Sequence, residues 1–229
     1  MQGALIVIPI EINHAGPYDF IVDTGAQVPT IEPSVAAELD VKAQGTTGVG
    51  GVATYARTAY SHLDLIEAGQ HSVPVITVIQ EMTQLKAADS RIRGILGANF
   101  LEHFDLLIDN GRHIFCLDES GALASTIEGE HIALAEPRGS KQDLPFTRPV
   151  IVAARFFAGD AAPVPLRLDS GSNAPLLYAA DALVRSKSKG KASILKRVAN
   201  GAEQSFTVLP PQDIQIEHTR SDTYRSSCR

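Results

Sequence analysis

Two places in this sequence set an aspartate ahead of a small hydroxylated residue and a glycine: Asp23-Thr24-Gly25 and Asp169-Ser170-Gly171. They belong to a longer gapless repeat. The run DTGAQVPTI from Asp23 aligns with DSGSNAPLL from Asp169, always 146 positions apart. Asp, Gly and Pro are identical, and Thr/Ser, Ala/Ser, Gln/Asn, Val/Ala and Ile/Leu are near in shape. Each copy follows an apolar run, FIV before Asp23 and LRL before Asp169, so a strand delivers a carboxylate at its end. Glycine lets the chain turn sharply there without a Cβ clash. The Thr24 hydroxyl can bond nearby backbone and stiffen the loop. Two such loops brought face to face set two carboxyl groups side by side, and like charges that close share a proton. The ionised member then serves as general base toward a water, while the protonated one polarises a carbonyl. This chemistry cleaves an amide bond with no metal and no cofactor. A single Asp-Thr-Gly is also ordinary turn chemistry, so it is the repeat that sets Asp23 and Asp169 apart.

The elements that hold such loops must be mostly strands. Short apolar runs recur between turn residues at Leu5–Ile12, Tyr18–Val22, Ser61–Ile66, Val73–Ile79, Asp105–Ile108 and Ile114–Leu117, with Pro149–Phe157 and Val164–Leu168 further on. That spacing predicts an all-β sandwich or barrel with short helices. One helix is expected at Glu32–Leu39, with Pro33 in its first turn. A second is expected over Ala179–Leu183, after the second copy of the repeat. Gly48, Gly50 and Gly51 read as a hairpin or a flexible loop, and Asn200-Gly201 as a hairpin tip. The polar stretch 135–143 divides the chain into a first unit over 1–135 and a second over 136–229.

Composition excludes several functions. The chain has 229 residues, 44% hydrophobic and 20% charged, enough for a sizeable core. With 6% aromatic residues and no Trp, that core must rest on Val, Ile, Leu and Ala. A net charge of −6 argues against nucleic acid, which needs a basic face to displace counterions. The one basic stretch, Arg185 to Arg197, reads as a solvated loop. Cys116 lies in the apolar run HIFCLD and is expected to be a buried strand thiol. Two cysteines do not make a disulfide framework, and scattered histidines offer no metal-ligand spacing. No run approaches the length of a membrane span. ALIVIPI near the start reads as a first strand rather than a signal peptide. The compartment stays open, with the periplasm or secretion the alternative if a leader was removed.

These motifs together resemble the aspartic peptidases of the retropepsin-like and pepsin-like group. FIVDTGA at 20–26 resembles the catalytic loop. Gly48-Val49-Gly50-Gly51 followed by VATYA resembles the glycine-rich flap. Gly94-Ile95-Leu96-Gly97-Ala98-Asn99-Phe100-Leu101 resembles the element that threads behind the catalytic loop, and FDLLIDN and HIFCLD resemble the closing strands. The likeness covers nearly all of the first unit. It implies an acid-protease barrel in two tandem lobes, with Asp23 and Asp169 catalytic and peptides or proteins as substrates. Thr24, Gly25, Ser170 and Gly171 would shape the catalytic loops, and Gly48, Gly50 and Gly51 would form a substrate-binding flap. The second copy departs from the pattern. A counterpart of Gly94 at the same offset would fall beyond Arg229, so the second lobe is expected to be incomplete and the less stable half. A mobile tail after Glu217 and weak peptidase activity are expected with it. Three readings follow: an endopeptidase pairing Asp23 with Asp169, a homodimer pairing two Asp23 residues, and a non-catalytic module that binds extended peptides by strand addition.

Overall fold

The computed structural model describes residues 5–51, 54–123, 149–155, 163–172, 193–199, 202–208 and 214–216, with the isolated positions 127, 128, 132 and 134. Strand β1 (Val7–Ile12) turns through Asn13-His14 into β2 (Ala15–Val22). Both turn residues have left-handed φ, 49° and 64°, the backbone of a two-residue hairpin whose twist suits its strands. The Asn13 N–H donates to the Leu65 carbonyl at 3.0 Å, and the Leu65 N–H donates to Asn13 Oδ1 at 3.0 Å. The turn is thereby tied to a distant strand.

The chain continues through β3 (Thr30–Ile31), α1 (Pro33–Glu38), β4 (Gly45–Gly51), β5 (Thr54–Ala68), β6 (His71–Ile79), α2 (Thr83–Ala88), β7 (Ile92–Leu96) and α3 (Ala98–Leu101). The strand order β1-β2-β7-β3-β6-β5 closes on itself, because Glu11 and Ile12 of β1 also pair with Glu67 and Ile66 of β5. Strand pairs β2–β7 and β3–β6 are parallel and the rest antiparallel, so this is a closed mixed barrel. Closure removes the sheet edges that would otherwise be open to pairing. Strand β4 hangs from β5 outside the ring. Side chains alternate as a pleated strand requires. Ile10, Ile12, Phe20, Val22, Ile31, Val35, Leu63, Ile66, Leu96 and Phe100 fill the barrel at 0–1% exposure.

The all-β reading holds, and α1 forms where Pro33 predicted it. The expected run Ser61–Ile66 is the middle of a 15-residue strand. Strand β5 is long because it serves β4 at one end and closes the barrel at the other. The short helix α2 buries no residue, so it has no apolar stripe to announce it.

Strands β8 (Phe104–Asp109) and β9 (Ile114–Glu119) form a hairpin. Phe104, Leu106, Phe115 and Leu117 pack it onto the core. The His71 ring lies 4.8 Å from that of Phe104, and its Nε2 is 3.0 Å from the Leu117 carbonyl. Cys116 corrects one expectation: it is half-buried and disulfide-bonded, not a buried thiol.

Further on, β10 (Ile151–Arg155) lies between β11 (Val164–Arg167) and β14 (Gln215–Ile216). Strands β12 (Ser193–Ala199) and β13 (Ala202–Val208) pair with Ala199 opposite Ala202. The tip between them, Asn200-Gly201, lies outside the described residues. So do the expected helix at 179–183, the start of the basic stretch and the tail after Glu217. Among the described residues, no helix is long and apolar enough to cross a membrane and no three His, Cys, Asp or Glu residues are grouped to hold a metal ion.

Candidate active site

Strand β2 ends at Val22, and the chain leaves the barrel at Asp23. Its backbone is held from below: the Asp23 N–H donates to the Leu96 carbonyl at 3.0 Å. The next residues are held in turn, with the Ala98 N–H donating to the Ala26 carbonyl at 2.8 Å and the Asn99 N–H to the Gln27 carbonyl at 3.0 Å. The loop then folds over its own carboxylate. Asp23 Oδ1 accepts from the Gly25 N–H at 2.7 Å and the Ala26 N–H at 3.0 Å.

The Asp169 loop repeats this on a smaller frame. Strand β11 ends at Arg167, and the Leu168 N–H donates to the Val150 carbonyl at 2.8 Å. Asp169 Oδ1 accepts from the Gly171 N–H at 2.9 Å.

The two loops meet through their hydroxyl residues. The Thr24 N–H donates to Ser170 Oγ at 3.1 Å, and the Ser170 N–H donates to Thr24 Oγ1 at 3.0 Å. Each hydroxyl then donates to the carbonyl that precedes the other aspartate: Thr24 Oγ1 to Leu168 at 3.0 Å and Ser170 Oγ to Val22 at 2.9 Å. The pattern is reciprocal, as an approximate two-fold relation between the loops requires. It also explains the glycines. A Cβ on Gly25 would collide with the Asp169 carboxyl, and a Cβ on Gly171 would collide with that of Asp23. Each carboxyl lies against the other loop's glycine.

This placement raises the pKa of Asp23 from 3.8 to about 6. Burial is the largest cause, because it disfavours the charged form; the Asp169 carboxyl adds to it, and the Gly25 and Ala26 N–H groups oppose it. Up to about that pH the pair retains a proton. One retained proton and one free carboxylate are what general acid and base work on a water and a carbonyl demands.

Six of the residues singled out from the sequence therefore come together: Asp23, Thr24, Gly25, Asp169, Ser170 and Gly171. The remaining three lie elsewhere. Gly48, Gly50 and Gly51 sit on β4, opposite Arg57, Tyr55 and Thr54 of β5. Tyr55 is 76% exposed, and its ring crosses β4 where a Cβ on Gly48 would strike its hydroxyl. The sequence reading missed the carbonyls of Val22 and Leu168. Any residue type offers a carbonyl, so no side-chain pattern marks them. It also missed the charged cluster around Glu32 described below.

Residues 8–100 match the family model described as aspartyl protease. No curated protein matches the sequence. Among solved structures, a retropepsin-like aspartic protease from Rickettsia conorii is similar, with 19% identity over 51% of this chain and 84% of that one and a TM-score of 0.38. The family match spans the Asp23 loop and its backing strand, and the barrel it covers is closed and mixed as described. Over residues 8–100, this chain is therefore similar to the aspartyl proteases.

Proposed function

We propose that this chain is an aspartic endopeptidase in which Asp23 and Asp169 share one proton and activate a water against the scissile carbonyl of a peptide. The observation that carries the reading is the reciprocal bonding of Thr24 and Ser170, which holds two carboxyl groups against each other within one chain. In the reaction, the ionised carboxylate removes a proton from the water as it attacks. The protonated partner donates toward the carbonyl oxygen, and the proton next passes to the leaving amine. Two rigid loops supply the preorganisation that such transfer needs. We assign 1–135 and 136–229 to two lobes that contribute one aspartate each, and the β4–β5 hairpin with Gly48, Gly50 and Gly51 to a flap over an extended substrate.

A homodimer pairing two Asp23 loops is the less favoured arrangement, because Ser170 already occupies the bonding positions of Thr24 in this chain. The test is hydrolysis of casein and of a quenched fluorescent peptide by wild type, Asp23→Asn and Asp169→Asn, with and without pepstatin. Each variant is expected to lose about 10²–10⁴-fold in rate. Full activity in Asp169→Asn would rule out the single-chain pair and leave the homodimer. Peptide binding without cleavage in wild type, unchanged in both variants, would make the chain a binding module.

A further inference from the structure

Glu32 follows β3, and its side chain is 1% exposed. It is the N-cap residue of α1, but its side chain makes no capping hydrogen bond. Lys86, on α2, places Nζ 3.1 Å from Oε1 and 3.2 Å from Oε2. Arg93, on β7, places Nε 3.3 Å from Oε2, and the Ser34 hydroxyl donates to the same oxygen at 3.3 Å. The Arg93 contact is ionic rather than directed, since Arg93 Nε makes no hydrogen bond. A second Arg93 nitrogen lies 3.7 Å from Glu38 Oε2, and Tyr18 donates to Glu38 Oε1 at 3.0 Å. One buried carboxylate thus ties together three elements, and a buried charge is tolerable only when so partnered.

Its location gives the cluster a task. The segment from Asp23 to Glu32 is bonded along its length to the segment from Arg93 to Asn99. Asp23 is held by Leu96, Ala26 by Ala98 and Gln27 by Asn99, and the Glu32 N–H donates to the Arg93 carbonyl at 3.2 Å. Between them, β3 pairs with β7 through only Thr30 opposite Ile95 and Ile31 opposite Gly94. That ladder adds few backbone bonds of its own, so its register rests on buried side chains, each of which a slip of one residue would turn to the other face. The backbone bonds along this seam are ones a slipped register could remake. The Glu32–Arg93 pair is not interchangeable in this way, because it joins two particular side chains. Buried ion pairs are better attested as devices of register than as sources of stability.

We propose that Glu32, acting through Arg93, is a positioning residue that locks the register of the Asp23 loop on β7 and so fixes where the Asp23 carboxyl stands. The catalytic consequence rests on the aspartic-peptidase reading, whereas the structural one does not. The experiment follows amide hydrogen exchange by NMR in the full chain, wild type and Glu32→Gln, with peptide hydrolysis measured beside it. Glu32→Gln is expected to speed exchange at the Asp23, Ala98 and Asn99 amides by roughly tenfold while the β5–β6 ladder is unchanged. It is expected to lower kcat by a similar factor of roughly ten, with KM held within about twofold. If Glu32→Gln does not fold, Glu32→Asp keeps the charge, shortens the reach by one methylene and is read in the same way. Unchanged exchange at Asp23, or equal acceleration in both regions, would overturn the proposal. A wild type that cleaves no peptide would remove the peptidase reading, and the exchange comparison would still decide the role of Glu32.

Discussion

The Asp23 and Asp169 loops exchange matching hydrogen bonds through Thr24 and Ser170, yet Val22 ahead of the first is fully buried while Leu168 ahead of the second is 41% exposed. Behind Asp23 lie Leu96 and the 97–99 segment, bonded to the loop at three successive points. Behind Asp169, the described residues supply the Val150 carbonyl and the edge of a three-stranded sheet. The difference separates two jobs that a carboxyl-bearing loop combines. Facing the partner carboxyl takes one hydroxyl and one glycine, and both loops have these. Holding the carboxyl at a set height takes a buried strand beneath it, and among the described residues only Asp23 has that.

The largest effect should ignore this asymmetry. Asp23→Asn and Asp169→Asn should lower the peptidase rate by comparable factors, about 10²–10⁴, because the chemistry needs both groups however each is held. Near-wild-type activity in either variant would mean that the two acids are not one functional pair.

Stability should expose the asymmetry. Leu96→Ala removes a fully buried side chain and is expected to cost about 2–5 kcal/mol in denaturant unfolding. Leu168→Ala, at a position 41% exposed, is expected to stay within about 0.5–1 kcal/mol. Equal costs would show that the Asp169 loop is backed as firmly as its partner.

The hydroxyl exchange should again treat the loops alike. Thr24→Val and Ser170→Ala each remove one donor and one acceptor, and each is expected to cost about 1–3 kcal/mol. A large loss for only one of them would show that the bonding is reciprocal in geometry but not in energy.

The pH dependence comes next. The folded pKa of Asp23, about 6, lies above the ordinary 3.8. The native state therefore holds more protons than the unfolded chain between those values, and stability falls as pH rises through that window. Asp23→Asn should flatten the fall, as read from melting temperature against pH. Because the pair needs one proton, kcat/KM should also decline above about pH 6 as that proton is lost. A flat melting profile in wild type would show that Asp23 is not held in a dry site.

The smallest effect is expected at the hairpin. Gly48→Ala pushes on the ring of Tyr55, which is 76% exposed and free to swing away. The stability change should stay below about 1 kcal/mol. A change in KM without one in kcat would mark the hairpin as part of substrate binding.

Residue types and spacing alone carried the pair of carboxyl-bearing loops and most of the frame. The repeat at Asp23 and Asp169 is local information, carried by residue types that only a tight, carboxyl-bearing turn needs. The alternating strands and the Pro33 helix are local as well, because backbone periodicity is written in neighbouring residues. What joins distant segments was decided only by the tertiary structure. The parallel β2–β7 pairing that sets Leu96 under Asp23 brings together residues far apart in the chain. So do the Val22 and Leu168 carbonyls that receive the two hydroxyls. The Glu32 cluster draws its members from positions 32, 34, 86 and 93, with no shared period. The raised pKa of Asp23 exists only once folding removes water from one carboxyl and sets a second against it. Backbone bonds, burial and charge proximity depend on distance in space, and a chain states only distance along itself.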